Sequence, residues 1–494
     1  MRKTASGYRL IFGYLGIFLI VIGAICLLPL IMLIPFSDEV QYAKNFYIPG
    51  IASIVIGVAL SFLIYKRDKA KLGRHQDSVL LVLLWILAIL ICAVPFVMSG
   101  NMSFTESVFE STSGFATVGL TRFNMFDSHI YIFYRSLILF FGGIGLVLVV
   151  TSAISDRYGL KLYIAEGHND KLMPNLAKSA RIILGIYVAY IAVGTIAYIL
   201  SGMDWFDAIN HSISALATGG FSSRPGGILE CAGNQTAIQI ISVVLMLLGG
   251  TNFLIHFFLI TGKFRRVRRD LEIRFFVILV LVFVPLFFIA CLLGGNNLSA
   301  WEAFKYGSFT FVSSITTTGF SNVASIPMLG NAAMFLIIIM CVIGGGMGST
   351  AGGCKQYRIA LALKSFYWNI TSRSKSKRII HPYLIYRCGE QKQPETYEIL
   401  EAFGYIVLYL LVLAVGSFLT LMFAGRAGFK FGDCLFEFAN ALSSTGLSCG
   451  LTAKANNGML WTMTAGMFAG RLEILAIYFA AFRIVRDICR KETI

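Results

Sequence analysis

Four short clusters in the chain share one pattern: a small or hydroxyl residue, any residue, a glycine, then Phe or Leu. They are Thr117-Val118-Gly119-Leu120, Thr218-Gly219-Gly220-Phe221, Thr317-Thr318-Gly319-Phe320 and Ser444-Thr445-Gly446-Leu447. These residues contain no nucleophile–base pair and no set of imidazoles or thiolates for a metal. Their chemistry is that of backbone oxygen. Glycine admits positive φ, so a carbonyl can turn without a Cβ clash. Four such turns around one axis make a ring of oxygens, and a dehydrated cation is a natural partner for it.

The spacing supports a repeat. The cluster glycines are separated by 101, 99 and 127 residues, the last gap widened by a polar, basic insertion around 365–396. A semi-polar, helix-like stretch of about one short helix precedes each cluster and an apolar stretch follows it. Glu106, Asp207 and Asp433 each lie 13 residues before their glycine, where a carboxylate suits the positive end of a helix dipole. Glu302 lies 17 residues before Gly319, which predicts one extra helical turn in the third unit. The carboxyl ends of four such helices add negative potential toward one point, favouring a monovalent cation over an anion.

Composition says where these elements sit. The 494 residues are 57% hydrophobic and 13% charged, whereas soluble domains are about half apolar and a quarter charged. Apolar runs reach roughly 20 residues, the length of a bilayer-spanning helix, and lack the strand-length alternation of a membrane barrel. Ten spans are expected, at 8–36, 48–66, 78–99, 129–154, 181–201, 236–262, 274–294, 328–364, 398–424 and 457–484. The apolar run after MRKTASGYRL lacks a convincing cleavage site and reads as the first span. Of the 41 Lys and Arg, 32 fall before or at the start of the first span and at 66–74, 157–181, 263–274, 355–392 and 483–491. That asymmetry places both termini and these loops in the cytoplasm and explains the net charge of +16 without nucleic acid. The ten cysteines include no CxxC pair, which argues against a disulfide framework or zinc site.

Two further features are candidates for a gate. Gly344, Gly345, Gly346, Gly348, Ser349, Thr350, Gly352 and Gly353 fall within ten residues of the span 328–364. At about 1 kcal/mol per glycine relative to Ala, that density should break the helix. The run lacks the ending of a phosphate-binding loop; a close-packed helix seam is the alternative. Arg471 lies in an apolar run 25 residues after Gly446. A charge there is costly unless it meets water or a partner. Glu473, two residues on, points off another face and is not the obvious partner. Arg135 and His256 are read as packing or hydrogen-bonding residues. Glu106, Glu110, Asp207 and Asp433 are placed near the outer mouth, where they either gather cations or cap helices. With Glu473 the only acid deep in a span, flow down the electrochemical gradient is favoured over proton coupling.

The four clusters, with Arg135-Ser136-Leu137, Gly142-Gly143-Ile144-Gly145, Gly249-Gly250-Thr251-Asn252-Phe253 and His256, the glycine run 344–353, and Gly470-Arg471-Leu472-Glu473, resemble the superfamily of K⁺ transporters that includes bacterial Trk and Ktr membrane subunits, fungal Trk and plant HKT proteins. Two helices before the first repeat look like the Trk type. The resemblance implies an all-α integral membrane protein of ten helices. Residues 1–75 are the N-terminal extension; 76–160, 161–268, 269–370 and 371–494 are four membrane–pore–membrane repeats around one pore. It implies that the four clusters form a K⁺ filter with Gly119, Gly220, Gly319 and Gly446 at its core. Glycine rather than serine at 119 implies K⁺ selectivity, with Rb⁺ and some Na⁺ passing a short filter. It implies a glycine-rich loop and Arg471 as the gate, a homodimer in a bacterial inner membrane, and a separate cytoplasmic subunit binding NAD(H) or ATP/ADP. K⁺ is then cargo, and no organic cofactor or nucleic acid is expected. A Na⁺-permeable member of the superfamily, an ion-coupled secondary transporter and, more remotely, an integral-membrane enzyme are the alternatives.

Overall fold

The computed structural model describes residues 8–62, 76–145, 148, 176–294, 298–373, 383–425 and 428–489. The basic stretches at 66–74, most of 157–181 and 374–382 lie outside them. Six helical segments are long and apolar enough to cross a membrane: Arg9–Leu33, Ser37–Ser61, Gln76–Met98, Lys178–Leu200, Leu271–Leu292 and Thr396–Ala424. The first two carry α1 (Tyr8–Leu27) and α2 (Ala43–Ser61). These run antiparallel in close contact, Gly16 and Gly23 against Gly57 and Gly50, as small residues permit in a membrane.

The remaining helices fall into four similar groups. The first has α3 (Gln76–Met98), the short α4 (Phe104–Phe115) and α5 (His129–Ile144). The second has α6 (Leu176–Leu200), the short α7 (Trp205–Leu216) and α8 (Gln235–Gly249), continued by α9 (Phe253–Ile260) and α10 (Phe264–Arg269). The third has α11 (Leu271–Leu292), the short α12 (Ala300–Ile315), α13 (Asn331–Ile343) and α14 (Gln356–Arg373). The fourth has α15 (Thr396–Ala424), the short α16 (Phe431–Leu442), α17 (Asn457–Arg471) and α18 (Ile474–Cys489). Each short helix packs between the helix before it and the helix after it. Each following helix also packs on the next short helix, α5 on α7, α8 on α12, α13 on α16 and α17 on α4. The cycle closes on itself.

The short helices carry hydroxyls that are buried toward their C-terminal ends, and many of these are satisfied internally. Thr112 donates to Val108 O (2.7 Å) and Ser111 to Ile89 O of α3 (2.8 Å). Their starts are capped. Ser103 and Glu106 form a reciprocal capping box on α4, and Ser299 and Glu302 form another on α12. Asp204 accepts from Phe206 N on α7, and Lys430 N donates to Asp433 on α16. Helix α12 is four residues longer than its three counterparts, 16 against 12. The added turn lies at its start, where Glu302 predicts it.

Three of the expected continuous spans are broken. The run 328–364 stops at Ile343 and resumes at Gln356, as its glycines predict. The run 236–262 bends by 106° between α8 and α9, where Asn252 caps the new helix through Leu254 N (2.8 Å). The run 457–484 breaks at Leu472-Glu473, with Glu473 at φ +57°. Within 129–154, α5 ends at Ile144 with Gly145 at φ +89°, and nearly all of the rest lies outside the described residues. The chain is also not purely helical. Ile385–Arg387 pairs antiparallel with Glu390–Lys392, Ile385 opposite Lys392, in a hairpin inside the polar insertion.

Three glycines explain how the groups close up. A Cβ on Gly142, Gly249 or Gly470 would lie under 3.0 Å from the last carbonyl of the preceding short helix, Phe115 O, Leu216 O or Leu442 O respectively. Gly470→Ala should therefore destabilise the fold by about 1–3 kcal/mol through overpacking. Gly404→Ala, on an open face of α15, should be neutral or stabilise by up to about 1 kcal/mol. Thermal unfolding midpoints of the purified protein in detergent check both.

Candidate cation site

Each short helix ends in the same turn. Val118 N, Gly219 N, Thr318 N and Thr445 N donate back to Ser113 O, Ser214 O, Ser313 O and Asn440 O at 2.8–2.9 Å, the six-to-one bond of a helix C-cap. The residue before each donor has left-handed φ: Thr117 +51°, Thr218 +50°, Thr317 +51° and Ser444 +58°. Such backbone is rare for residues with a Cβ and costs of order 1–3 kcal/mol at each position. The residue after each donor is the cluster glycine, also at positive φ, from +70° at Gly220 to +92° at Gly119.

The four turns meet one another. A Cβ on Gly119 would lie under 3.0 Å from Gly219 O, one on Gly220 from Thr318 O, one on Gly319 from Thr445 O, and one on Gly446 from Val118 O. Each glycine thus faces the carbonyl just before the next glycine, and the fourth returns to the first. All four predicted clusters come together in this ring. A cavity of about 350 Å³ opens on one side, lined by the four glycines with Leu120, Phe221, Phe320 and Leu447.

On the other side lies the segment 344–355. Thr350 donates to Leu216 O (3.0 Å) and Gly249 O (2.9 Å) and accepts from Thr218 Oγ1 (3.0 Å). Gly352 N donates to Thr317 Oγ1 (2.7 Å), and a Cβ on Gly352 would press on Ser443 O. Gly346 N donates to Gly250 O (2.9 Å) and Met347 N to Glu272 Oε1 (2.9 Å). Arg471 donates to Thr350 O (2.9 Å), Gly143 O (3.1 Å) and Gly142 O. It therefore joins the loop to the end of α5. Glu473 pairs with Arg358 of α14 at 2.7 Å. The hydroxyls of Thr117 and Ser444 are buried and have no hydrogen-bond partner among the described residues.

The profile of the TrkH family, described as a cation transport protein, matches residues 42–486. The chain belongs to that family. It is 29% identical over 490 residues to the Trk system potassium uptake protein TrkH of Salmonella typhimurium, covering 95% of this chain and 97% of that one. It is equally similar to an uncharacterized cation transporter of Methanocaldococcus jannaschii over 504 residues, covering 98% and 99%. The crystal structure of the potassium transporter TrkH from Vibrio parahaemolyticus superposes with a TM-score of 0.80 at 25% identity, covering 95% and 98%.

Within this TrkH-family chain, the acids expected near an outer mouth cap helices or pair with arginines, as the capping alternative has it. Glu106 and Glu302 cap their helices. Burial pushes the Glu106 carboxyl up, but the bonds from Ser103 and Arg122 hold it below its usual range. Bonds from Ser299 do the same for the exposed Glu302. Glu106 and Asp207 pair with Arg122 and Arg224, both at 2.9 Å. Glu110 is buried behind Thr121 and Arg135, which line the cavity beside the ring. It pairs with Arg135 at 2.8 Å and accepts from Thr121 and Arg122 N. Arg135 is hydrogen-bonded as expected, to Ser222 O and Thr121, and stacks on Phe123 and Phe221. His256 meets Leu248 O (2.9 Å) beside the α8–α9 bend.

A further set of residues, of which the sequence reading singles out only Glu110, braces the ring. Nine residues before the glycines stand Glu110, His211, Thr310 and Glu437. Three of them hold the segment after the glycine: Glu110 on Thr121, His211 on Ser222 (3.0 Å) and Glu437 on Ser448 (2.6 Å). Their common register was the available signal. Removing one member of the buried Glu110–Arg135 pair leaves an uncompensated charge. Arg135→Gln should cost about 3–5 kcal/mol, and Glu110→Gln with Arg135→Gln should recover part of it; thermal midpoints of the single and double variants test this.

Proposed function

We propose that this chain is a K⁺-selective, channel-like uptake pore that carries K⁺ and Rb⁺ down the electrochemical gradient. The closed cycle of glycine against carbonyl is the observation that carries the reading. It gathers backbone oxygens of four turns at one point of an apolar chain, as partial dehydration of a cation requires. The buried, unpartnered hydroxyls of Thr117 and Ser444 support it, because such groups need water or a cation as partner. The potassium-uptake relatives point to the same cargo.

In this reading the four groups of helices are membrane–pore–membrane repeats preceded by two helices, ten spans in all. The repeats run 76–160, 161–268, 269–370 and 371–494. Thr117 to Leu120, Thr218 to Phe221, Thr317 to Phe320 and Ser444 to Leu447 are the filter. The loop 344–355 closes the path beneath it. Thr218 and Thr317 hold the loop up, and Arg471 fixes its inner edge and places a positive charge against permeating K⁺. Opening requires those bonds to break, under control of a cytoplasmic nucleotide-binding subunit. The protein works as a homodimer in a bacterial inner membrane with both termini cytoplasmic. The driving force needs no coupled ion, since 100 mV is worth about 2.3 kcal/mol per charge.

Uptake of ⁸⁶Rb⁺ into proteoliposomes loaded with K⁺ tests the reading. External K⁺ should block uptake strongly and Na⁺ weakly; equal block would mean an unselective or Na⁺-permeable pore. Gly119→Ser should weaken K⁺ over Na⁺ discrimination several-fold, because its side chain meets Gly219 O. Arg471→Ala should raise the uptake rate several-fold at equal protein level, and an unchanged rate would remove Arg471 from the gate.

A further inference from the structure

We infer that Glu437 is a buried carboxylate whose counter-charge is the cation held at the ring, so that it sets the affinity of the ring for K⁺. This rests on the proposed function. Glu437 lies on α16 with no solvent exposure. Its Oε1 accepts from Ser448 Oγ (2.6 Å), Thr452 N (2.9 Å) and Thr452 Oγ1; its Oε2 accepts from Cys449 N (3.0 Å) and Cys449 Sγ (3.3 Å). Both oxygens therefore face backbone N–H groups, which cannot accept a proton. That arrangement suits a carboxylate, which only accepts.

A buried carboxylate needs a compensating charge. Glu110, at the same register in the first group, has Arg135 at 2.8 Å. Glu437 has no Lys, Arg or His partner among the described residues; its partners are the neutral groups just named. Those groups belong to the segment directly after Gly446. Ser448 and Thr452 line the same cavity as the four ring glycines. The carboxylate thus stands one residue-layer behind the space a cation would occupy, with the hydroxyls of Ser448 and Thr452 between them. It acts through those groups and through its field, as a positioning residue, without touching the ion.

The test is thermal unfolding of the purified protein against K⁺ concentration, at constant ionic strength with choline, and separately against Na⁺. It does not require an open gate. Wild type should be stabilised by K⁺ at lower concentration than by Na⁺. Glu437→Gln should raise the K⁺ concentration for half-maximal stabilisation at least fivefold. Glu302→Gln, which removes only a helix cap, should lower the midpoint and leave that concentration unchanged. Glu437→Asp keeps the charge while shortening the brace and should stay within twofold of wild type. A lowered midpoint with an unchanged K⁺ constant in Glu437→Gln would overturn the inference and leave a structural brace. If Glu437→Gln does not fold, Glu437→Asp decides: a several-fold loss of K⁺ affinity there means that geometry, not charge, is what the ring requires. Wild type showing no preference for K⁺ would overturn the reading of the ring itself.

Discussion

The structure depends on four close approaches between a glycine and a neighbouring carbonyl. Gly119, Gly220, Gly319 and Gly446 each leave no room for a side chain, because the oxygen of the next turn occupies it. For this to happen four times in a closed order, four helices must end at one level and turn sharply in the same sense. That demand explains why Thr or Ser is held at left-handed φ in all four turns, although the backbone there is strained. It also explains the buried serines and threonines of the short helices, which supply internal bonds where water is excluded.

The helices that follow the turns are shaped by the same demand. Gly142, Gly249 and Gly470 let α5, α8 and α17 press against the carbonyl ends of α4, α7 and α16. Helices α8, α13 and α17 are each followed by a break, and α5 ends at Ile144. The break after α13 is long, and its residues fold back under the ring and bond to Thr218 and Thr317. Arg471 donates to two carbonyls at the end of α5, Gly142 O and Gly143 O, and to one in the loop, Thr350 O. One guanidinium, with its five donors in a fixed fork, thereby ties three parts of the chain together.

Much of this was legible from sequence because it is local. The turns repeat a short pattern four times, the extra turn of α12 follows from the offset of Glu302, and a run of six glycines cannot stay helical. What escaped is set by distant partners. The bend between α8 and α9 interrupts a run that is apolar on both sides; Gly249-Gly250 and Asn252, a good N-cap, mark it locally. The partner of Glu473 is Arg358, 115 residues away. The burial of Glu110 follows from Arg135, which reaches it from the next helix. The insertion around 385 is polar and basic and reads as a plain loop, and the hairpin there is held by Asp270 and Glu398 from elsewhere.

A ring built from one chain differs in kind from one built from four copies. In an assembly of identical subunits any substitution enters four times at once. Here the residue before the glycine is Val118, Gly219, Thr318 or Thr445, and each can change alone. The turns have already divided their labour: the hydroxyls of Thr218 and Thr317 hold the loop, while those of Thr117 and Ser444 are left open. A ring carried by one chain thus has a side that is tied to the loop and a side that is not, and each side can be altered by a single substitution.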